Sequence, residues 1–129
     1  MFYRESTLLE PQDIELLLPM GTTADYTAEE LSKVNIPVRF FDWKTEHYWY
    51  PIEFDAQWCQ CYGIAVTPKG YDFAVWDMQD LEETPYLYFG GRLTPWSHMI
   101  ERDADPIGTV GKVLRKLNTK GLYFVESVI

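Results

Sequence analysis

The sequence predicts an α+β fold: a single domain over 1–129, built on a mostly antiparallel sheet of five or six strands with two or three helices. Three observations lead there. First, 129 residues with 47% hydrophobic and 16% aromatic content supply one core, and that is the size of one domain. Second, hydrophobicity recurs with a period of two through the middle of the chain and with a period near 3.6 only towards its ends. Third, the strand-like stretches follow one another through short turns, without the alternating helices a parallel sheet needs.

In LLEPQDIELLLP (8–19), Pro11 suits a first helical turn and Asp13 and Glu15 suit the positive end of a helix. Pro19 stops this helix, and Leu9, Ile14, Leu17 and Leu18 are its expected buried face. Thr27 and Glu30 form a capping box for a second helix over about 28–34, closed by Asn35 and Pro37.

Strands follow. Val38 and Phe40, then Tyr48, Tyr50, Ile52 and Phe54, alternate as one core wall. The other face carries Arg39, Phe41 and Trp43, then His47, Trp49, Glu53 and Asp55, with DWKTEH as the hairpin loop. Pro51 has no N–H to give to a ladder, so the strand is at an edge, bulged or broken there. WCQCYGIAV and YDFAVWDM make a hairpin around TPKG. DMQDLEET, with four acids in seven residues, reads as a solvated turn or short helix. PYLYFGG is a further strand ending at Gly90 and Gly91, and LTPWSHMIERDADP gives no clear pattern. Ile107, Val110, Val113, Leu114 and Leu117 keep helical spacing, Asn118 and Gly121 end that helix, and LYFVESVI is expected as a last strand.

Charge bounds the function. Twenty acids against eleven bases give a formal net charge of -9. That balance argues against direct nucleic-acid or anionic-membrane binding, which need Lys and Arg to neutralise phosphate, and favours a partner with a basic surface. The acids are clustered: residues 10–30 hold six and no base, and 72–105 hold eight and two bases. The last helix reverses the sign with Lys112, Arg115, Lys116 and Lys120, a placement that the dipole at a helix C-terminus explains. The start of the chain has neither a basic region nor an apolar run like those of a signal peptide, and no stretch is long enough to span a membrane. A cytoplasmic protein with free thiols is the expectation.

Candidate chemistry is sparse. Cys59 and Cys61, as C-x-C, with His47 and His98 do not match the usual spacing of zinc ligands, so no metal and no cofactor are expected. The two thiols read instead as small buried residues. Nucleophilic catalysis by either cysteine, or by Ser97 beside His98, lacks a supporting motif, and carboxylate pairs such as Glu53 with Asp55 or Asp103 with Asp105 are expected by coincidence in so acidic a chain. GTVGK (108–112) is too short for a phosphate loop, and its glycines are read as allowing close packing of helix on sheet. No catalytic residue is assigned, and the chain is not expected to be an enzyme.

A resemblance adds a setting. In order, LLP (17–19), VRFF (38–41), WYPIEFD (49–55), YG (62–63), GYDF (70–73), DLEE (80–83), LYF (87–89) and TPWSHMI (94–100) are similar to a widespread domain of unknown function. That family comprises small proteins encoded on plasmids, conjugative elements and phages, often near anti-restriction genes. The likeness covers roughly 8–100, making 1–100 the family-like part and 101–129 a C-terminal helix–strand addition. AVWDM departs from the family's usual Ser-Leu. The family has no established active site, so the resemblance implies a genomic setting in which small acidic proteins counter host defences.

The resulting expectation is a small acidic inhibitor of anti-CRISPR or anti-restriction type, blocking a host nucleic-acid-binding defence complex, with mimicry of nucleic-acid phosphates as one way of doing so. Its contact surface is expected from Asp42, Trp43, Glu46, Trp49, Glu53 and Asp55, with Asp77, Asp80, Glu82 and Glu83 engaging Arg and Lys that normally hold phosphate. The alternatives are an immunity protein against a secreted nuclease toxin, a non-inhibitory accessory protein of a mobile element, and a small enzyme using a thiol or a carboxylate pair.

Overall fold

A computed structural model describes residues 8–42, 45–82, 86–89, 92–95 and 100–126, the stretches 86–89 and 92–95 by their backbone alone. Trp43, Glu83, Gly90, Gly91, Ser97 and His98 therefore lie outside the described residues, as does the end of LYFVESVI.

The chain runs α1 (Pro11–Leu16), β1 (Leu18–Pro19), a 3-10 turn (Thr22–Asp25), α2 (Ala28–Ser32), β2 (Asn35–Ile36), β3 (Arg39–Asp42) and β4 (His47–Asp55). It continues through β5 (Gln60–Thr67), β6 (Gly70–Asp77), α3 (Met78–Glu82), β7 (Tyr86–Phe89) and β8 (Arg92–Pro95). It closes with β9 (Glu101–Asp103), β10 (Gly108–Thr109) and α4 (Val110–Thr119). The main sheet has six strands in the order β6-β5-β4-β3-β9, with β1 pairing parallel to the far end of β4. Two small antiparallel pairs, β10 with β2 and β7 with β8, complete a single α+β domain.

Local signals act as the sequence implies at several points. Thr27 Oγ1 accepts from the Glu30 N–H at 3.1 Å while Glu30 accepts from the Thr27 N–H at 3.0 Å, closing the capping box of α2. Pro68 and Lys69 turn the β5–β6 hairpin, whose pairing runs unbroken from Thr67–Gly70 to Gln60–Asp77. The acidic stretch after it is α3, so the described residues hold four α-helices rather than two or three. The first helix is shorter than its apolar pattern: Leu9 and Leu17 are buried, Ile14 and Leu16 are exposed, and Leu18 leaves the helix for β1.

Both faces of the sheet are covered, which changes how the alternating residues divide. One face joins Val38, Phe40, Cys59, Cys61, Trp76 and Met78, roofed by Leu9, Leu17 and Leu81, with Trp49 and Phe54 packed against them. The other joins Tyr50, Ile52, Ile64 and Val66 to Ile36, Val110, Val113 and Leu117, with Tyr48 at its margin. The expected wall of Val38, Phe40, Tyr48, Tyr50, Ile52 and Phe54 is thus divided between two cores. Register accounts for the first part, because Phe40 pairs with Trp49 and not with a residue of the Tyr48 row. A β-bulge accounts for the second: pairing slips between Pro51 and Glu53, so Phe54 and Glu53 exchange faces relative to the residues before it. Among the three outcomes open at Pro51, the bulge is the one realised.

Residues 101–119 are integral to the packing. β9 pairs with β3 and α4 closes the second core. Arg102 donates to the Leu8 carbonyl at 2.9 Å and to Asp13 at 2.6 Å, tying β9 to α1. Gly111 does not face the sheet as expected; a Cβ there would stand 3.1 Å from Ser32 Cβ, so it permits close approach of α4 to α2. Among the described residues of the last expected strand there is one parallel bridge, Tyr71 with Phe124, and Tyr123, Phe124 and Val125 are exposed. After the left-handed turn at Gly121, Tyr123 and Val125 hydrogen-bond the backbone of Tyr71 at the start of β6.

Candidate functional site

On the face of the first core, the β3–β4 hairpin and the junction of β6 with α3 enclose an open cavity of about 470 Å³. Asp42, Thr45, His47 and Trp49 line it from the hairpin, and Trp76, Asp77, Asp80 and Leu81 line it from the other side. The register shows why there is room. The middle strand β5 sets Ala65 beside Trp49 and Gly63 beside Ala74, so no bulky side chain rises between the two indoles.

Each wall is positioned locally. Asp42 is almost fully buried, and its Oδ1 lies 3.4 Å from the Thr45 N–H in the hairpin turn. His47 stacks on Trp49 with centroids 6.1 Å apart, and its Nδ1 lies 2.8 Å from Thr45 Oγ1. Trp76 donates its Nε1–H to Met78 Sδ at 3.2 Å, which fixes the indole. Asp77 accepts from the backbone N–H of Gln79 at 2.8 Å and of Asp80 at 3.1 Å, so it caps α3 while facing the cavity. The arrangement offers flat π faces beside carboxylates, a setting in which an organic cation gains from both.

The residues expected to form one contact surface are therefore dispersed. Asp42, Trp49, Asp77 and Asp80 meet in this cavity. Glu46 is exposed at the hairpin tip, in a left-handed conformation with φ 58°. Glu53 is a correction: it is 3% exposed, on the opposite side of the sheet, and its carboxylate is enclosed by the backbone of residues 21–23. Burial makes it unavailable to a partner. Asp55 accepts from the N–H of Gln57 at 2.9 Å in the β4–β5 turn and borders a separate apolar groove with Leu18 and Phe54. Glu82 accepts from the Leu8 N–H at 2.8 Å, tying the start of the described chain to α3. Trp43 and Glu83 lie outside the described residues. Sequence reasoning passed over Trp76 as a site residue, although the β5–β6 hairpin was legible and places Trp76 opposite Cys61.

The thiols are core residues. Cys59 and Cys61 are each 0% exposed, and burial first, with Cys59 and Glu82 adding to it, pushes the Cys61 thiol well above its ordinary range. Neither thiol is expected to react with a disulfide reagent at pH 8 in the native protein, and both are expected to react in denaturant. Because the folded state holds Cys61 neutral, its contribution to stability is complete below the unfolded thiol's value near 9.0 and declines as pH rises above it. Rapid native labelling would contradict this packing. Among the described residues, no group of three or more His, Cys, Asp or Glu is arranged to hold a metal ion, and no helix is long and apolar enough to cross a membrane.

The chain matches no family model, no curated protein and no solved structure.

Proposed function

We propose that this chain is a protein-binding inhibitor that recognises a basic surface on a nucleic-acid-binding complex, using the cavity between the β3–β4 hairpin and α3. One observation carries the reading. Two segments with twenty-six residues between them, Thr45–Trp49 and Trp76–Asp80, bring the carboxylates of Asp77 and Asp80 and the indoles of Trp49 and Trp76 to one open cavity, with Asp42 buried in its lining. Lys and Arg side chains that grip phosphate have the chemistry such a cavity takes: a cation for the carboxylates and a face for the rings. The acidic balance favours encounter with a basic partner. The resemblance to proteins of plasmids, conjugative elements and phages supports a CRISPR or restriction complex as the target.

The test is a plasmid-challenge assay in cells carrying a CRISPR or restriction system, with this protein expressed, alongside capture of the targeted complex on the purified protein. Asp77→Asn with Asp80→Asn is the informative pair, because Asn still caps α3 while both charges are removed. The expected result is restored transformation with the native protein, and a loss of binding of about tenfold or more for the double variant, at unchanged circular dichroism. Unaltered binding and inhibition by that variant would refute the site. Recovery of a nuclease toxin instead of a defence complex would replace the reading by that of an immunity protein.

A further inference from the structure

The opposite side of the sheet carries a feature of the other sign. Helix α4 buries Val110, Gly111, Val113 and Leu117, and turns Lys112, Arg115, Lys116 and Lys120 to solvent. At about 100° per residue these four cations fall within roughly 140° of one side, with Lys112, Lys116 and Lys120 at i, i+4 spacing and Arg115 beside Lys116. Among the described residues none of them makes an ion pair.

The dipole at the helix C-terminus accounts for Lys116, in the last turn, and for Lys120 at the C-cap, but not for Lys112. The sequence reading assigned the cluster to the negative C-terminal end of the helix, but the helix starts at Val110, so Lys112 stands in its first turn. There the Lys112 N–H donates to the capping Thr109 Oγ1 at 3.2 Å, and the helix dipole disfavours a cation. Lys112 with Lys116, and Lys116 with Lys120, are like charges one turn apart, an arrangement that weakens a helix. Most of the acids nearest in the packing are engaged elsewhere; Asp105, which shares a small cleft with Lys116, makes no ion pair among the described residues. On α2, which touches α4, Glu29 pairs with Lys33 at 3.7 Å and Glu30 closes its capping box. Lys116 borders a small cleft with Asp103 and Asp105, but Asp103 pairs with Arg39 at 3.1 Å. In a chain with twenty acids, a stripe free of them and unfavourable to its own helix points to something outside the molecule.

We propose that the outer face of α4 binds the phosphate backbone of a nucleic acid. Between Val110 and Thr119 the helix has no large exposed apolar side chain; Tyr123, Phe124 and Val125, which follow it in the chain, run along the start of β6. A protein partner would call for an apolar or aromatic anchor in such a face, whereas a phosphate backbone calls for cations and polar donors such as Asn118 and Thr119, which flank the stripe. Lys112, Lys116 and Lys120 are spaced by about 6 Å along the axis, four residues at about 1.5 Å each, near the axial spacing of every second phosphate at about 3.4 Å per phosphate on one strand. The net charge of -9 keeps this contact weak in isolation, and the sheet separates it from the acidic cavity. The inference stands without the proposed inhibitor function. If both hold, the protein touches a complex and that complex's nucleic acid with opposite faces.

The experiment titrates fluorescein-labelled single-stranded and duplex oligonucleotides with the full chain from 20 to 200 mM NaCl. The expected result is binding at low salt whose log K falls against log salt with a slope of about -3, as four phosphate contacts require at ~0.7 to 0.9 each. The triple variant Lys112→Gln, Arg115→Gln, Lys116→Gln is expected to lose about tenfold or more at 50 mM salt and to flatten the slope by about two units. Its thermal midpoint is expected to equal or exceed that of the native protein, since like-charge pairs are relieved. Absence of oligonucleotide binding at 20 mM, or an unchanged slope in the triple variant, would overturn the proposal. Equal affinity for a poly-glutamate peptide would overturn it too, by making an acidic protein the partner. Loss of binding in Asp77→Asn, Asp80→Asn but not in the triple variant would place the contact at the cavity and also overturn it.

Discussion

Gly63→Ala is expected to leave the protein largely unfolded, with a loss of roughly 4 kcal/mol or more out of the ~5 to 15 typical of a domain. A Cβ at Gly63 would overlap the Tyr50 carbonyl oxygen and stand 2.9 Å from Pro51 Cα. Both are backbone atoms of β4, and they sit where the bulge presses that strand towards β5. Relief requires moving β4 itself, yet β4 is held by β5 along one edge and by β3 and β1 along the other. A flexible side chain could step aside; a doubly paired strand cannot. Gly21→Ala is the control. Gly21 also has a special conformation, φ 93°, but nothing lies within 4 Å of its Cβ position, so its expected loss is only about 1 kcal/mol. Urea denaturation of the two variants separates steric exclusion from backbone preference. Similar midpoints for Gly63→Ala and the native protein would mean that the strands do not approach this closely.

The same bulge marks where the sequence stops being legible. Within a strand, a period of two assigns residues to faces, and it does so correctly for Tyr48, Tyr50 and Ile52. It carries no information on an inserted residue, so one slip after Pro51 reverses Glu53 and Phe54. Nor does it say how faces match across a loop: Phe40 aligns with Trp49 because of the register that DWKTEH sets. Because both sides of this sheet are buried, apolar residues occur in both rows, and the usual contrast between a wet face and a dry one is absent. Local chemistry survived better. The Thr27–Glu30 box, the turn at Pro68 and the punctuating role of Pro51 depend on neighbours only, and each is found.

The cavity was half legible for the same reason. Asp42, Trp49, Asp77 and Asp80 could be named from composition and charge, but that they face one space depends on strand order β6-β5-β4-β3 and on small residues at 63, 65 and 74. Those are long-range facts. The basic helix shows the converse: all four cations were visible, and only the observed start of α4 shows that the helix dipole opposes Lys112.

Glu53→Ala is expected to destabilise the fold by about 3 to 5 kcal/mol, comparable to breaking a buried charged network. Glu53 Oε1 accepts from the Gly21 N–H at 2.8 Å, and Oε2 accepts from the Thr23 N–H and Oγ1–H, both at 2.6 Å. The carboxylate thus holds the left-handed turn at Gly21 and sits at the start of the 3-10 turn, where unpaired N–H groups favour an anion. Removing it leaves these donors without an acceptor in a place that water does not reach freely, since Thr23 is itself buried. Glu53→Gln keeps one oxygen and turns an NH2 towards a donor, so its expected loss is smaller but still above ~1 kcal/mol. Denaturation midpoints measure both, and amide exchange at Gly21 and Thr23 should accelerate before the rest of β4 opens. Partner binding supplies the contrast with the cavity acids. At a temperature where Glu53→Gln remains folded, its affinity for a captured partner should match that of the native protein, while Asp77→Asn with Asp80→Asn should not. A glutamine variant with native stability and lost binding would instead put Glu53 in contact with the partner, and the bulge that buries it would have to be wrong.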